Sequence, residues 1–170
     1  MWLIPIFDGN FIFMEIVKKA LLAILLVCVG AQFFGPKLNQ GELSSLAPFI
    51  AETKPSEEVQ KIMKQVCFDC HSNVTNYPWY NNITPVNYWI ADHVKEGKKE
   101  VNFSKWSEYS LKRKEHKFEE IWEEVEEKHM PLNSYTWVHR DANLSEEQIE
   151  TMVAWAKEKQ ADYKAQMTQE

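Results

Sequence analysis

The sequence predicts an all-α domain of about four helices. Several segments carry apolar residues at the i, i+3, i+4 and i+7 spacing of a helix that buries one face. Residues that favour the first position of a helix, such as Ser56 and Ser145, stand directly before two of these segments. Strand-like alternation of apolar and polar residues is not sustained anywhere, and the sequence contains no internal repeats.

The predicted helices follow one another in a simple order. The first begins after Ser56, and its apolar residues lead directly into Cys67. The second begins at Thr84-Pro85, and Gly97 is its expected end. The third presents a nearly continuous charged face to solvent, and the fourth opens with a capping-box pattern. The first, second and fourth predicted helices cover residues 57–66, 85–96 and 146–160. The third follows Ser107, begins at Leu111 at the latest and extends to Lys128.

Composition and charge exclude some classes of function. The chain has 170 residues, of which 45% are hydrophobic, which is enough for one domain and a short appendage. A net charge of −6 and a pI near 5.5 argue against nucleic-acid binding, which requires a basic face. The sequence also lacks a catalytic-triad order, a phosphate-binding loop and paired catalytic carboxylates. We therefore expect no nucleic-acid partner and no hydrolase or kinase activity.

The motif Cys67-Phe68-Asp69-Cys70-His71 has the spacing that attaches haem c covalently. The two thiols can reach the two vinyl groups of one porphyrin, and the His that follows can coordinate the iron. A zinc site and a redox dithiol are the alternatives. The only other cysteine is Cys28, in a distant apolar segment, and the motif follows a predicted helix rather than a strand. We therefore predict one haem c held by Cys67 and Cys70, with His71 as an axial ligand.

Met130 is the predicted second axial ligand of the iron. It lies just past the third predicted helix and precedes Pro131, which restricts the backbone of Met130 to an extended conformation. His93 is the main alternative, because it shares an apolar helical face, although a lone histidine there is more often a hydrogen-bonded core residue. Methionine ligation would raise the reduction potential relative to two histidines and would fill the sixth coordination position.

Residues 16–34 form the most apolar segment of the chain. Residues 20–31 carry no charge, and the whole segment approaches the 17 to 25 residues that cross a bilayer. Because Lys18 and Lys19 precede the uncharged run, the positive-inside rule places this end in the cytoplasm. We therefore predict an uncleaved transmembrane helix over residues 14–35, which anchors the chain once in the cytoplasmic membrane with its domain facing the periplasm. A cleaved signal segment is the alternative.

The remaining boundaries follow from composition. Met14 would make a more ordinary beginning of the chain than Met1, so the residues ahead of it are treated as an extension. The segment after the apolar run contains Gly41 and Pro48 and shows no strong helical period. The predicted organisation is an N-terminal extension (1–13), an anchor or signal segment (14–35), a linker (36–54), a haem-binding domain (55–160) and a polar tail (161–170).

Two stretches of the sequence resemble the bacterial haem-binding domain family, small membrane-anchored proteins related to cytochrome c. The first is the Cys-x-x-Cys-His motif with its continuation to Tyr77-Pro78-Trp79-Tyr80, and the second runs from Met130-Pro131 to Ser145. The resemblance implies a cytochrome c-like helical fold, covalent haem, an axial role for His71 and Met130 as the opposite ligand. Leu132 stands where many relatives have a second proline.

The expected function is one-electron transfer by a membrane-anchored c-type haem protein, which makes the chain an electron carrier rather than an enzyme. Its expected partners are redox proteins in the membrane or periplasm. One alternative is a haem-based sensor or peroxidase-like enzyme with a labile sixth ligand. Another is a haem carrier, which thioether bonds disfavour because release would require their cleavage.

Overall fold

The structure is a computed structural model that describes residues 9–169. Within this range the secondary structure is helical apart from one antiparallel bridge between Gln40 and Val74, so the all-α prediction is confirmed for the described residues. The α-helices are α1 (Gly9–Ala31), α2 (Ala47–Thr53), α3 (Glu57–Val66), α4 (Phe68–His71), α5 (Val86–Glu100), α6 (Leu111–Glu126), α7 (Asn133–Val138) and α8 (Glu146–Met167).

The predicted transmembrane helix over residues 14–35 is wrong. The segment lies mostly in α1, but no described helix is both long and apolar enough to cross a membrane. The charged residues Glu15, Lys18 and Lys19 lie inside α1. The uncharged part that follows, residues 20–31, is about 18 Å long at 1.5 Å per residue, whereas a bilayer core is about 30 Å thick. The predicted single-pass location in the cytoplasmic membrane, with a domain facing the periplasm, is also wrong because it depended on this helix.

The chain divides into two compact units. The smaller one combines residues 9–37 with Pro78–Ile90. Within it, the Gln32 side chain donates to the Thr84 carbonyl at 3.1 Å and accepts from the Thr84 N–H at 2.9 Å. The Thr84 hydroxyl also donates to the carbonyl of Phe34 at 3.1 Å. Of the predicted N-terminal extension, residues 9–13 belong to α1 and the rest lies outside the described residues.

The larger unit combines residues 38–77 with 91–169 and contains the main hydrophobic core. Helices α6 and α8 pack against each other along this core. The Phe118 ring on α6 stacks on the Tyr163 ring at 5.8 Å and meets the Trp155 ring edge-on at 5.2 Å. The largest fully buried side chains are those of Trp106, Phe49, Phe103, Phe118, Ile62, Met63 and Met152.

Two segments are more structured than the sequence predicted. The expected linker (36–54) contains a 3₁₀ turn, Leu43–Leu46, and the short helix α2, whose Phe49 is fully buried. The expected polar tail (161–170) is helical as far as Met167, and its Tyr163 is buried in the core. In the first segment Leu43, Leu46 and Ile50 do have helical spacing, but Gly41 and Pro48 favoured the linker interpretation. In the second segment Tyr163 and Met167 are the only large apolar residues, so that segment looked like a polar tail.

Candidate haem-binding site

The end of α3 carries the first residue of the Cys-x-x-Cys-His motif. The Cys67 N–H donates to the Met63 carbonyl at 2.9 Å, and the His71 N–H donates to the Cys67 carbonyl at 2.9 Å. Helix α3 buries Val59 and Ile62 in the core, and the Ser56 hydroxyl caps its first turn by accepting from the Val59 N–H. The motif is therefore attached to a helix that the core holds in place.

Two cavities of the larger unit bring the predicted site residues together. The first has a volume of 310 Å³ and includes Cys67 in its wall, and the second has a volume of 150 Å³ and includes Cys70. His71 and Met130 line both cavities. These four side chains, although Met130 is distant from the motif in the sequence, thus surround one region of the fold.

The His71 ring has its proton on Nδ1. This atom lies 3.3 Å from the carbonyl oxygen of Val101, and a carbonyl can only accept a hydrogen bond, so the nitrogen must be the donor. Burial lowers the pKa of His71, while the carbonyls of Val101 and Gly97 act in the opposite direction. Burial therefore favours the neutral ring, and with a proton on Nδ1 the neutral ring has on Nε2 the lone pair that a metal needs.

Both thiols of the motif are strongly disfavoured as thiolates. Burial raises the pKa of Cys67 to about 12, with a smaller contribution from Cys70. Burial also raises the pKa of Cys70 to about 11, with a smaller contribution from Asp69. Disulfide exchange requires a thiolate, so this environment does not favour a redox dithiol. In the described part of the chain, no group of three or more His, Cys, Asp or Glu side chains could hold a metal ion.

Three further candidates for an axial ligand lie near the same region. Met63 and Met152 line the first cavity, but both are fully buried members of the core. His93 lines the second cavity together with Met130. Met130 differs from Met63 and Met152 because it is only partly buried and reaches both cavities. The structure therefore keeps Met130 as the first candidate and His93 as its rival.

The position of Met130 is determined by the end of α6. The N–H groups of His129 and Met130 both donate to the Glu124 carbonyl at 2.9 Å. Lys128 adopts the left-handed conformation, with φ of 59°, which turns the chain out of the helix. The sequence predicted that Met130 lies just past a helix end. It did not predict the left-handed turn itself, because Lys128 stands where a glycine would have indicated one.

Sequence analysis missed three groups that support the motif. The Val101 carbonyl fixes the His71 ring, and a backbone group of this kind leaves no sequence signal. Asp69, inside the motif, accepts from the Asn76 N–H at 2.9 Å and from the Tyr135 hydroxyl at 3.2 Å. Tyr135 lies in the second stretch that resembles the haem-binding domain family, and its place in that stretch was the one available signal for a role at the site.

The residues of the two cavities fit a haem. Two thiols, an imidazole with Nε2 available and a methionine thioether form the donor set of a c-type site. Apolar side chains such as Phe103, Ile121 and Val125 line the first cavity. Charged residues also contribute to its wall, and these are Glu100, Lys117, Glu120 and Glu124.

A helical domain with this donor set around two adjoining cavities fits the haem-binding class of proteins. The chain belongs to the haem-binding domain family, because residues 26–158, which are more than half of its length, match that family. It is therefore a haem protein. No curated protein and no solved structure matches the chain.

Proposed function

We propose that this chain is a c-type haem protein that carries single electrons between redox partner proteins. Cys67 and Cys70 would hold one haem c through thioether bonds, and His71 and Met130 would hold its iron. The observation that carries the proposal is that His71 and Met130 line both cavities, while each cavity also contains one of the two cysteines.

A bound haem c supplies a one-electron couple between ferrous and ferric iron. The hydrogen bond from His71 Nδ1 to the Val101 carbonyl orients the imidazole and leaves Nε2 available as a ligand. The Phe103 ring lies edge-on to the His71 ring, with centroids 6.3 Å apart, and limits rotation of that ring. The buried apolar side chains of the wall, such as Phe103 and Val125, limit the contact of the ligands with water, which would reduce the reorganisation that accompanies a change of charge.

Coordination of the iron by Met130 would favour electron transfer over the binding of small molecules from solution. A thioether stabilises the reduced iron, and an occupied sixth position disfavours the binding of peroxide or a diatomic gas. The anchored backbone of Met130, bonded to the Glu124 carbonyl, supports the same role because it limits how far the side chain can withdraw. A sensor or peroxidase-like enzyme would instead need a sixth ligand that leaves easily.

The experiment that tests this proposal is a ligand-exchange series on the full chain, produced in a host shown to mature another c-type cytochrome. Haem should remain on the denatured wild-type chain, and its reduced spectrum should be that of low-spin iron. Met130→Ala should keep the haem and lose the spectroscopic signature of methionine ligation. Met167→Ala, at the end of α8, is the matched control and should leave the spectrum unchanged.

The same series distinguishes the alternatives. If Met130→Ala leaves the spectrum unchanged while His93→Ala alters it, the second ligand is His93. A wild-type protein with high-spin iron that readily binds carbon monoxide would point to a sensor or peroxidase-like enzyme. If no haem remains on the denatured chain, the thioether bonds are not formed and the c-type assignment fails.

A further inference from the structure

The Tyr135 side chain connects α7 to the Cys-x-x-Cys-His motif. Its hydroxyl donates to Asp69 Oδ2 at 3.2 Å and lies 3.4 Å from the carbonyl oxygen of Gln65. These two acceptors stand on either side of Cys67 in the sequence, one at the end of α3 and the other in α4. A single hydroxyl therefore contacts both helices that carry the motif.

Asp69 is itself held firmly on the opposite side. Its Oδ1 accepts from the Asn76 N–H at 2.9 Å, and its backbone carbonyl accepts from the Thr75 hydroxyl at 2.6 Å. The Tyr135 ring is also fixed, because it stacks on the His139 ring with centroids 4.3 Å apart and an interplanar angle of 14°. Both partners of the Tyr135–Asp69 hydrogen bond thus have little freedom to move apart.

The same tyrosine is tied to the segment that carries Met130. The Tyr135 N–H donates to the Leu132 carbonyl at 2.9 Å, and Leu132 is only two residues from Met130. The side chains of Met130, Leu132 and Tyr135 all line the second cavity, together with Cys70. The segment therefore has two anchors, namely the Glu124 carbonyl at its start and the Tyr135–Asp69 hydrogen bond at its end.

We propose that Tyr135 is a positioning residue that keeps Met130 at the iron through its hydrogen bond to Asp69. This inference rests on the proposed function, in which Met130 is the sixth ligand. The bond joins the segment of one axial ligand to the motif that contains the other, His71. Its strength therefore sets how easily a small ligand from solution displaces Met130.

The test is a titration of the oxidised holoprotein with imidazole, in which the absorption spectrum of the haem reports binding. Tyr135→Phe removes only the hydroxyl, and we expect it to bind imidazole about tenfold more tightly than the wild type, as for the loss of a hydrogen bond to a charged acceptor. Asp69→Ala breaks the same bond from the other side and should have a similar effect. The double variant should bind imidazole about as tightly as Asp69→Ala alone, because Asp69→Ala already removes the bond to Tyr135 as well as the bond from the Asn76 N–H.

Tyr77→Phe is the matched control. The Tyr77 hydroxyl accepts from the Asn39 N–H at 2.8 Å, and Tyr77 is a partly buried tyrosine that is not in the wall of either cavity. Its imidazole affinity should equal that of the wild type. Haem retention on the denatured chain, measured for every variant, separates an effect on Met130 from a failure to mature.

Each possible outcome decides the inference. Tighter imidazole binding in Tyr135→Phe and Asp69→Ala, with an unchanged Tyr77→Phe, supports it. If Met130→Ala loses methionine ligation but Tyr135→Phe binds imidazole as the wild type does, the positioning role is overturned and the proposed ligation stands. If Met130→Ala keeps the wild-type spectrum, both the ligation and the positioning role are overturned.

Discussion

Gly97 of α5 lies directly against the backbone of Cys70. A Cβ atom at position 97 would stand 2.8 Å from the Cys70 carbonyl oxygen and 3.1 Å from the Cys70 Cβ atom. The oxygen belongs to the backbone and cannot rotate away, so a larger residue would require α5 or the motif to move. The helix continues through Gly97 to Glu100, and the glycine therefore serves close packing and does not end the helix as the sequence predicted.

Gly97→Ala should lower the free energy of unfolding by about 1–3 kcal/mol, the usual cost of forcing extra volume into a packed site. This sign is opposite to that of helix propensity, by which alanine is about 1 kcal/mol better than glycine inside a helix. Urea unfolding of the holoprotein measures the change. A haem-stained denaturing gel should also show less haem per chain, because the change displaces Cys70.

Gly30→Ala is the control for that substitution. Gly30 also lies inside a helix, and a Cβ atom there would have no atom within 4 Å apart from its chain neighbours and the nearby backbone of its own helix. The stability should therefore stay the same or rise. If Gly97→Ala were as stable as Gly30→Ala, the close contact between α5 and the motif would not limit the size of residue 97.

The number of thioether bonds can be counted by removing the cysteines in turn. Cys67→Ala and Cys70→Ala should each keep haem on the denatured chain, because one thioether remains. Their reduced absorption bands should move to longer wavelength, since each missing thioether leaves one vinyl group conjugated with the porphyrin. The double variant should lose all covalent haem, whereas Cys28→Ala, which removes an exposed thiol, should behave as the wild type. Haem on the denatured double variant would contradict the proposed attachment.

An ion pair between a buried lysine and an exposed glutamate joins α2 to α6. Lys114 Nζ lies 2.7 Å and 2.9 Å from the two carboxylate oxygens of Glu52, and the Lys114 side chain is only 9% exposed. The Tyr163 hydroxyl donates to the same carboxylate at 2.7 Å. Glu52→Ala should therefore lower the free energy of unfolding by about 2 kcal/mol, because it leaves a buried ammonium group without its partner.

Glu126→Ala provides the comparison for Glu52→Ala in the same urea experiment. Glu126 pairs with Lys157 at 2.9 Å, but both side chains are largely exposed, at 51% and 43%, so the loss should stay below about 1 kcal/mol. Equal losses at the two positions would show that burial of Lys114 does not make its ion pair more important.

Sequence patterns predicted the elements that have strong local signals. The Ser56 cap and the Ser145 capping box are both present, and α3 leads into the motif as expected. Local patterns could not predict the burial of Phe49, because α2 has only seven residues and its place depends on distant parts of the core. The transmembrane prediction gave too much weight to the apolar residues 20–31 and too little to the three charged residues that precede them inside α1.

The site shows the same division between local and tertiary information. Residue types and spacing identified Cys67, Cys70, His71 and Met130 as a group, and the structure gathers them around two cavities. The support of His71 by the Val101 carbonyl depends on how α5 passes the motif, and a sequence contains no direct record of such a backbone contact. The candidate ligands therefore have a signal in the sequence, whereas the backbone group that orients His71 has none.

The turn at the end of α6 can be tested with a matched pair of substitutions. In the described part of this protein, two lysines have left-handed backbone conformations. Lys128, with φ of 59°, lies before Met130, and Lys54, with φ of 45°, ends α2 away from the cavities. Both side chains are exposed, so a substitution acts mainly through the backbone. Replacement by valine should lower the free energy of unfolding by about 1–2 kcal/mol at either position, because a β-branched residue is strained there.

Only the change at Lys128 should affect the iron. Lys128→Val disturbs the turn in which the Met130 N–H bonds to the Glu124 carbonyl, so imidazole should displace Met130 more easily than in the wild type. Lys54→Val should lose similar stability without a change in imidazole affinity. Lys128→Gly, which accepts the left-handed conformation without strain, should keep the wild-type affinity. If both valine variants changed imidazole affinity equally, the effect would come from general destabilisation, and the end of α6 would have no specific part in holding Met130.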